Sequence, residues 1–472
     1  MGKSIRRSMA PTMAAGAAMT LLGAYAVTTM DTSNASDSLE LQAEPARGLP
    51  VFTDDGVAEV GAMLAGLSER TAEVRTIEQQ DRLAAELAPP QMDSSPRNSR
   101  RVPSGCRGAT ALLSHNPVRE FGLPGGAAVR VWDTGARANP MDETRLVAVR
   151  IPKGTLTPTV LTPSSTLGSL ATPSSMGDDH GKAVVVINGG VYDTSTNIPT
   201  GALATDDKAR KADSLGTRAI AIYDGLKSAV VARTGLNGLL TSSRGDVPVS
   251  AINWEELSRQ GLSAYTHSWN ASRHPAGPRT VVVRDGKVRQ ILSKAAGMRR
   301  PGSGETFLTA PAGSRAFGAL KALRVGDAVK VSTAVESVRE DYSDRPELAQ
   351  PSALIGVSAA LVRYGKVIAP CSDRDNQLRP RSAIGWTENG DMLVVSVSGR
   401  AMVGGSRYGG ASAFGLGQYL KWLGAVSAVN LDGGGSTALL VRREVGGPLN
   451  RIDRDDDAEQ RPVANALAFK TD

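Results

Sequence analysis

From residue 127 onward, one short β-branched apolar run follows another, and this succession limits the possible folds more than any other feature. The runs are four to seven residues long and rich in valine, isoleucine and threonine, which is typical of strands. They occupy residues 129–132, 146–151, 184–187, 219–223, 280–283, 328–333, 425–431 and 438–441. Such short strands with few helical stretches between them predict an α+β fold that is β-rich, with largely antiparallel sheets and a few packed helices.

Turn sequences and one helical segment add detail to this fold. Residues 285–286 are Asp-Gly and residues 389–390 are Asn-Gly, the pairs that favour two-residue β-hairpin turns. Residues 412–423 carry leucines on one helical face. Gly424 follows them, so we expect the helix to end there.

The first 108 residues differ in character from the rest. Residues 1–36 have a basic start followed by a small, apolar run, which predicts a cleaved secretory signal; an uncleaved anchor is the alternative. Residues 37–108 combine a helical pattern with a Ser/Pro/Arg-rich stretch and predict an arm and linker, for which a pro-segment or spacer is an equal interpretation. Residues 109–472 are the main domain. We therefore expect a secreted or cell-envelope protein with no membrane span after cleavage.

Charge and composition limit the partners. The net charge of +7 arises from 54 basic and 47 acidic residues spread along 472 positions, and aromatic residues are only 4%. Nucleic-acid binding needs basic charge concentrated on one surface, so we expect no nucleic-acid partner. A mild preference for anionic ligands remains. The oligomeric state is left open.

The cysteines and histidines do not indicate a metal centre. Cys106 and Cys371 are the two cysteines, and the four histidines are scattered without ligand spacing. We therefore predict no metal site and no cofactor. In an oxidising compartment the two cysteines form one disulfide, while two free thiols are the equally weighted alternative.

Residues 430–437, Asn-Leu-Asp-Gly-Gly-Gly-Ser-Thr, follow a predicted strand. Three glycines weaken a strand, and one use for them is to present backbone N–H groups to a ligand. A glycine-rich turn capped by Asp432 explains the residue types equally well. A Walker phosphate loop is excluded because no lysine precedes Ser436. The candidate ligand-binding residues of this segment are Asn430, Gly433, Gly434, Gly435, Ser436 and Thr437, with Asp432 as the candidate carboxylate.

Two arginines near the Asn389-Gly390 turn form a candidate anion clamp. If those two residues are the whole turn, Arg381 faces Ser398 and Arg400 is its diagonal neighbour. Such neighbours are about 7–8 Å apart. Guanidinium groups suit phosphate because they donate two parallel hydrogen bonds. Two solvated arginines at the end of a hairpin are the alternative.

An ordered set of motifs resembles the phosphodiester glycosidase family. The likeness runs from about residue 129 to the C-terminus. Its motifs are the octet at 430–437, Ile-Asn-Gly-Gly-Val-Tyr-Asp at 187–193, Ala-Tyr-Thr at 264–266, Gly-Asp at 326–327, Arg-Ser-Ala-Ile-Gly at 381–385, Gly-Arg at 399–400 and Arg-Pro-Val-Ala-Asn-Ala at 461–466.

The resemblance implies a hydrolase that cleaves sugar-1-phosphodiesters, such as N-acetylglucosamine-1-phosphodiesters, at the anomeric C–O bond. It implies an anionic sugar-phosphate or glycopolymer as substrate. Asp432, Arg381 and Arg400 would then be catalytic, with Asp432 acting as nucleophile, as base or as an electrostatic partner of the anomeric centre.

Three residues at a second strand exit and one near the C-terminus complete the candidate site. Asn188 follows an apolar run and precedes Gly189 and Gly190, so its amide is placed to bind a sugar hydroxyl. A turn-forming asparagine is the alternative, and Arg461 is similarly ambiguous.

The sequence departs from the family at Ser398. The family usually carries Asp-Gly-Arg where this chain has Ser398, Gly399 and Arg400. This difference motivates a second hypothesis, a secreted protein that binds glycans or wall polymers on the same fold without catalysis.

Overall fold

The computed structural model describes most of the chain after residue 102. All described residues lie in the unit Ser95–Asp472. They are residues 103–109, 116–133, 144–214, 216–223, 225, 227–258, 261–269, 277–292, 299–339, 350–403, 406–453 and 459–472. The predicted signal at residues 1–36 and nearly all of the predicted arm at residues 37–108 lie outside them. No helix in these ranges has the length and apolar character needed to cross a membrane.

Strands make up most of the described chain, as the repeated β-branched runs predict. The first strands are β1 (Arg119–Gly122), β2 (Ala128–Asp133), β3 (Arg145–Ile151), β4 (Thr157–Leu161), β5 (Ala183–Asn188), β6 (Leu203–Thr205), β7 (Lys208–Asp213), β8 (Thr217–Tyr223), β9 (Ser228–Ser242), β10 (Val247–Ile252), β11 (Leu262–Thr266), β12 (Thr280–Arg284) and β13 (Lys287–Leu292). The later strands are β14 (Glu305–Thr309), β15 (Val329–Arg339), β16 (Ala353–Gly356), β17 (Ala359–Arg363), β18 (Lys366–Val367), β19 (Arg381–Thr387), β20 (Met392–Val403), β21 (Ser406–Gly409), β22 (Ala425–Asn430), β23 (Leu439–Arg442), β24 (Leu449–Arg451) and β25 (Ala466–Lys470).

The helices are few and short. The α-helices in the described ranges are α1 (Pro173–Asp178), α2 (Arg315–Ala322), α3 (Asp373–Asn376) and α4 (Ala413–Trp422). Helix α4 confirms the one predicted from sequence: the Ser412 hydroxyl accepts a hydrogen bond from the Gly415 N–H, and Gly424 follows the helix with φ +95°. Single turns of 3-10 helix occupy Pro124–Gly126 and Gly434–Ser436.

The strands form three sheets. A nine-stranded sheet has the order β1-β2-β3-β20-β19-β22-β17-β18, with β21 paired to β20. An eleven-stranded sheet has the order β13-β12-β14-β11-β10-β7-β6-β16-β8-β9-β15, and a five-stranded sheet the order β24-β23-β5-β25-β4. Strands β10 and β11 are parallel, and the other described pairings are antiparallel. The predicted β-rich α+β fold with largely antiparallel sheets is confirmed.

The hairpin of β19 and β20 has a different register from the one predicted. Arg381 pairs with Val397, whereas the two-residue turn predicted Ser398 as its partner. The cause is a longer turn: the Thr387 N–H donates to the Asp391 carbonyl, and Gly390 adopts φ +84° between them. A three-residue loop with glycine in the left-handed region shifts every cross-strand pair by one position.

A shared apolar core brings the ends of β5, β19 and β22 together. Ile187 of β5, Ile384 of β19 and Val429 of β22 all belong to one buried cluster and have no exposed surface. The loops that follow β5 and β22 and the segment that precedes β19 therefore meet at one edge of the core.

Candidate active site at the triglycine loop

Asp432 is held between the ends of β19 and β5, which belong to two different sheets. Strand β22 ends at Asn430, and the next N–H, of Leu431, donates to the Ser382 carbonyl at 2.9 Å. The Asp432 N–H donates to the Gly189 carbonyl, also at 2.9 Å. The half-buried Asp432 side chain is therefore carried on backbone that two sheets fix in place.

The three glycines have different tasks. The Gly433 N–H donates to Asp432 Oδ1 at 2.9 Å, and the Gly434 N–H donates to the Pro380 carbonyl at 2.8 Å. Gly434 adopts φ +63°, which favours glycine. Gly435 is exposed. The predicted cradle of three ligand-binding amides is thus wrong for Gly433 and Gly434, whose N–H groups serve protein acceptors, and Gly435 is the exposed glycine of the three.

Burial and nearby positive charge act on Asp432 in opposite directions. Burial raises the pKa of Asp432 above its ordinary value of 3.8. Hydrogen bonds from the Ser436 side chain and the Gly433 N–H lower that pKa, as do the positive charges of Arg461 and Arg374. The site therefore pairs one partly desolvated carboxylate with two guanidinium groups.

Arg461 lies across the loop from Asp432. Its Nη1 is 3.4 Å from the position that a Cβ atom would take on Gly435. The side chain is exposed, so it borders the loop from the solvent side. Its positive charge lowers the pKa of Asp432, and its predicted role in substrate binding stays a prediction.

Arg381 lies next to the loop but its guanidinium is directed elsewhere. Arg381 Cα is 3.7 Å from the position of a Cβ on Gly433. Its buried guanidinium donates from Nε to the Ala411 carbonyl at 2.8 Å, and from Nη2 to the carbonyls of Asp375 and Gln377 at 2.9 and 3.2 Å. Burial lowers the pKa of Arg381, and its charge is not among the main influences on Asp432. Arg381 thus binds backbone through Nε and Nη2, and these contacts give no support to the predicted binding of the substrate anion, which stays a prediction.

The second half of the predicted clamp is not tested. Arg400 lies in β20, but its side chain is outside the described part of the structure. Ser398 faces Arg145 of β3 and donates its hydroxyl hydrogen bond to the Asp453 carbonyl. Arg145 in turn pairs with Asp133 at 3.0 Å. The residue that departs from the family pattern is therefore not the neighbour of Arg381.

Asn188 is a structural residue. Its side chain has no exposed surface. Its Oδ1 accepts hydrogen bonds from the Ser382 hydroxyl at 2.6 Å and the Ala438 N–H at 3.2 Å, and its Nδ2 donates to the Asp432 carbonyl at 2.9 Å. The predicted contact with a sugar is wrong, because every polar atom of this amide already joins strand ends around Asp432.

Gly189 and Gly190 are explained by close packing. A Cβ on Gly189 would lie 2.0 Å from Asn465 Oδ1, and one on Gly190 would lie 2.1 Å from the Gly356 carbonyl oxygen. The Gly190 N–H also donates to Asn465 Oδ1 at 2.8 Å. Both glycines let the backbone approach the site and are not themselves exposed to a ligand.

The remaining side chains of the octet lie around Asp432 with different exposure. Asn430 donates from Nδ2 to Ser358 Oγ at 2.8 Å and to the Leu431 carbonyl at 2.6 Å. Its Oδ1 and the Thr437 hydroxyl are buried without a hydrogen-bond partner among the described residues. Ser436 is buried and bonds Asp432. Sequence reasoning missed Arg374, whose segment carries no motif.

The described residues contain no group of three or more histidine, cysteine, aspartate or glutamate side chains placed to hold a metal ion. The two cysteines form a disulfide, Cys106–Cys371, with a sequence separation of 265. The sequence left a disulfide and two free thiols as alternatives, and the structure contains the disulfide.

Comparisons with known proteins support the family resemblance. Residues 280–470 match the family model described as phosphodiester glycosidase. A comparison with curated proteins found no match.

Two solved structures share the fold, and a third is similar over part of its length. A hypothetical protein from Synechocystis has 24% identity and a TM-score of 0.57, and the alignment covers 76% of this chain and 64% of that one. A putative exported protein from Burkholderia pseudomallei has 19% identity and a TM-score of 0.52, covering 70% and 74%. The zebrafish N-acetylglucosamine-1-phosphodiester alpha-N-acetylglucosaminidase catalytic domain, auto-inhibited by its pro-peptide, has 12% identity and a TM-score of 0.36, covering 77% and 87%. This chain thus spans about two thirds of the Synechocystis protein's length.

Proposed function

Starting from the match of residues 280–470 to the phosphodiester glycosidase family, we propose that this protein hydrolyses sugar-1-phosphodiesters at the anomeric C–O bond. The products are a free sugar and a phosphomonoester. The observation that carries the proposal is the placement of Asp432, a partly desolvated carboxylate on the loop whose exposed Gly435 lies against Arg461.

The chemistry of the leaving group suits this arrangement. Most glycosidases need a carboxylic acid to protonate an alkoxide and a second carboxylate on the opposite side. A phosphomonoester leaves as a stable anion, so positive hydrogen-bond donors replace the acid. Arg461 and the Gly435 N–H receive that charge, and the neighbouring Asp432 carboxylate stabilises the positive charge that develops at the anomeric carbon.

The stereochemistry of the released sugar distinguishes two roles for Asp432. If Asp432 forms a covalent bond to the anomeric carbon, the sugar is released with retained configuration, whereas activation of a water molecule inverts it. Proton NMR of the first product formed from an α-linked substrate measures this directly.

Incubation of the purified protein with a panel of sugar-1-phosphodiesters, with and without chelator, tests the activity. We expect release of free sugar, and a decrease in kcat of about a hundredfold to a thousandfold in Asp432→Asn. The exposed Glu388→Gln, in the β19–β20 turn, is the matched carboxylate control. Turnover by Asp432→Asn equal to that of wild type would remove Asp432 from the mechanism.

The binding-only hypothesis predicts a different result in the same assay. A thermal shift with sugar phosphates but no released sugar would support it. Its motivation is the serine at position 398, where the family usually carries aspartate, and this serine faces Arg145 of β3.

The proposal includes export of the protein to the cell envelope or medium. It is supported by the basic start and apolar run of residues 1–36. Fractionation of cells that express the full chain tests it, with the mature N-terminus read by mass spectrometry.

A further inference from the structure

We propose that residues 372–380 form a second wall of the site and that Arg374 on this wall binds the phosphate group of the substrate. A clamp consisting of Arg381, Asn376 and the Cys106–Cys371 disulfide holds the wall in place. This inference rests on the proposed function and adds a substrate-binding residue and its support.

The wall lies directly against the triglycine loop. The Pro380 carbonyl accepts the Gly434 N–H at 2.8 Å. The same oxygen is 2.9 Å from the position of a Cβ on Gly433, closer than real Cβ atoms normally approach. The two segments therefore meet backbone to backbone, without room for a side chain between them.

Arg374 is the cation of this wall that is available to a ligand. It lies on α3, whose N-terminal Ser372 hydroxyl accepts the Asp375 N–H. Its side chain is exposed and forms no ion pair or hydrogen bond with other described residues. Its charge nevertheless acts on Asp432, together with that of Arg461. Two guanidinium groups around one carboxylate favour a ligand that carries negative charge, such as a phosphodiester.

Arg379, on the same wall, serves as the matched control. Its Nε donates to Gln377 Oε1 at 3.0 Å, and its backbone pairs with Ala411. Its charge is not among the main influences on Asp432. Loss of Arg379 therefore removes one positive charge from the same segment without removing the charge that acts on Asp432.

Arg381 supports the wall from inside. Its Nη2 donates to the carbonyls of Asp375 and Gln377, which flank the C-terminal end of α3, while its Nε is anchored on the Ala411 carbonyl. A buried guanidinium with three backbone acceptors fixes the path of a short segment that has little regular structure of its own.

Asn376 and the disulfide support the wall from outside. Asn376 Nδ2 donates to the carbonyls of Gly105 and Cys371 at 2.7 and 3.1 Å, and its Oδ1 accepts the Arg107 N–H at 2.9 Å. Residues 103–109 are tied in turn to α4, because the Ala109 N–H donates to Gln418 Oε1 at 2.7 Å. The disulfide thus connects the wall covalently to residues 103–109, which are themselves bound to α4. This connection reduces the conformational entropy that the wall loses when a ligand binds.

Binding of inorganic phosphate and steady-state kinetics test the role of Arg374. We expect Arg374→Ala to weaken phosphate binding and raise KM about tenfold to a hundredfold, with a smaller change in kcat. Arg374→Lys should recover part of the affinity, and Arg379→Ala should bind within about twofold of wild type. Equal binding by Arg374→Ala and Arg379→Ala would overturn the assignment.

A double-mutant cycle tests the clamp. We expect Cys106→Ser/Cys371→Ser to raise KM. Arg374→Ala should have a smaller effect on KM in that background than in wild type, because Arg374 contributes less to substrate binding when the disulfide no longer holds its segment in place. Asn376→Ala keeps the disulfide and should change KM in the same direction, so it serves if the double variant does not fold. An equal effect of Arg374→Ala in both backgrounds would contradict the clamp.

Failure of this inference differs from failure of the proposed function. If wild type releases sugar but Arg374→Ala behaves as Arg379→Ala, the assignment of Arg374 is wrong and the activity remains. If wild type releases no sugar but Arg374→Ala loses phosphate binding, the anion site remains and the hydrolase proposal is wrong.

Discussion

Asp432 has a proposed function in the site, and its burial makes the stability of the folded protein depend on pH. Burial favours its protonated form, and the hydrogen bonds and positive charges around it oppose burial without reversing the direction. A raised folded-state pKa means that the folded protein binds the proton more tightly than the unfolded chain. The resulting stability is present below pH 3.8 and is lost as pH rises through the folded-state pKa.

This residue predicts a pH-dependent difference between wild type and Asp432→Asn. The neutral amide does not ionise, so the variant should become more stable relative to wild type as pH rises from below 3.8 to neutrality. Urea unfolding at several pH values measures this. The acidic limb of kcat/KM in wild type should have its midpoint above 3.8 for the same reason. A stability difference that is constant with pH would contradict the assigned direction.

Gly433 and Gly435 should respond differently to alanine. A Cβ on Gly433 meets the Pro380 carbonyl oxygen at 2.9 Å, so Gly433→Ala should lower the free energy of unfolding by about 1–3 kcal/mol. A Cβ on Gly435 meets only the flexible Arg461 side chain at 3.4 Å, so Gly435→Ala should keep its stability within about 1 kcal/mol and raise KM. Chemical unfolding and steady-state kinetics of the two variants separate these effects, each serving as control for the other.

At the scale of elements, the site depends on three strand ends joined by one amide. Asn188 at the end of β5 bonds Ser382 in β19, and it also bonds the backbone of Asp432 after β22. The local sequence predicts β5 and β22 from their continuous apolar runs, and β19 from the Asn389-Gly390 turn that follows it. It does not predict the bonds between their ends, because the partners are far apart along the chain.

Asn188→Ala tests this connection. It leaves the buried Ser382 hydroxyl and Ala438 N–H without their acceptor, so we expect a loss of about 2–4 kcal/mol of unfolding free energy and a decrease in activity. Ser358→Ala, at an exposed hydroxyl beside the same site, is the control and should change stability by less than about 1 kcal/mol. Wild-type stability in Asn188→Ala would show that the amide is not structural.

At the scale of the whole molecule, the disulfide joins two residues that are far apart along the chain. Its cysteines are 265 positions apart, so in the unfolded chain it closes a loop that includes most of the described strands. A disulfide that closes a long loop strongly restricts the conformations of the unfolded chain. The bond therefore affects global stability as well as the wall that carries Arg374.

Removal of both cysteines should lower the free energy of unfolding by about 3–5 kcal/mol. Chemical unfolding of Cys106→Ser/Cys371→Ser measures this. A reducing agent should move the Tm of wild type toward that of the variant and leave the variant unchanged. A wild-type Tm that does not respond to complete reduction of the bond would contradict a stabilising role.

Local sequence determined the strands, helix α4 and the position of Asp432 beside three glycines, because side-chain periodicity and turn chemistry act over a few residues. Tertiary structure decided which groups the side chains around the loop contact. Arg381 binds backbone because the carbonyls of Ala411 and Asp375 lie within hydrogen-bond reach of its guanidinium. A disulfide and a buried guanidinium hold the segment of Arg374 close to the loop, and contacts between positions so far apart leave no pattern in the chain.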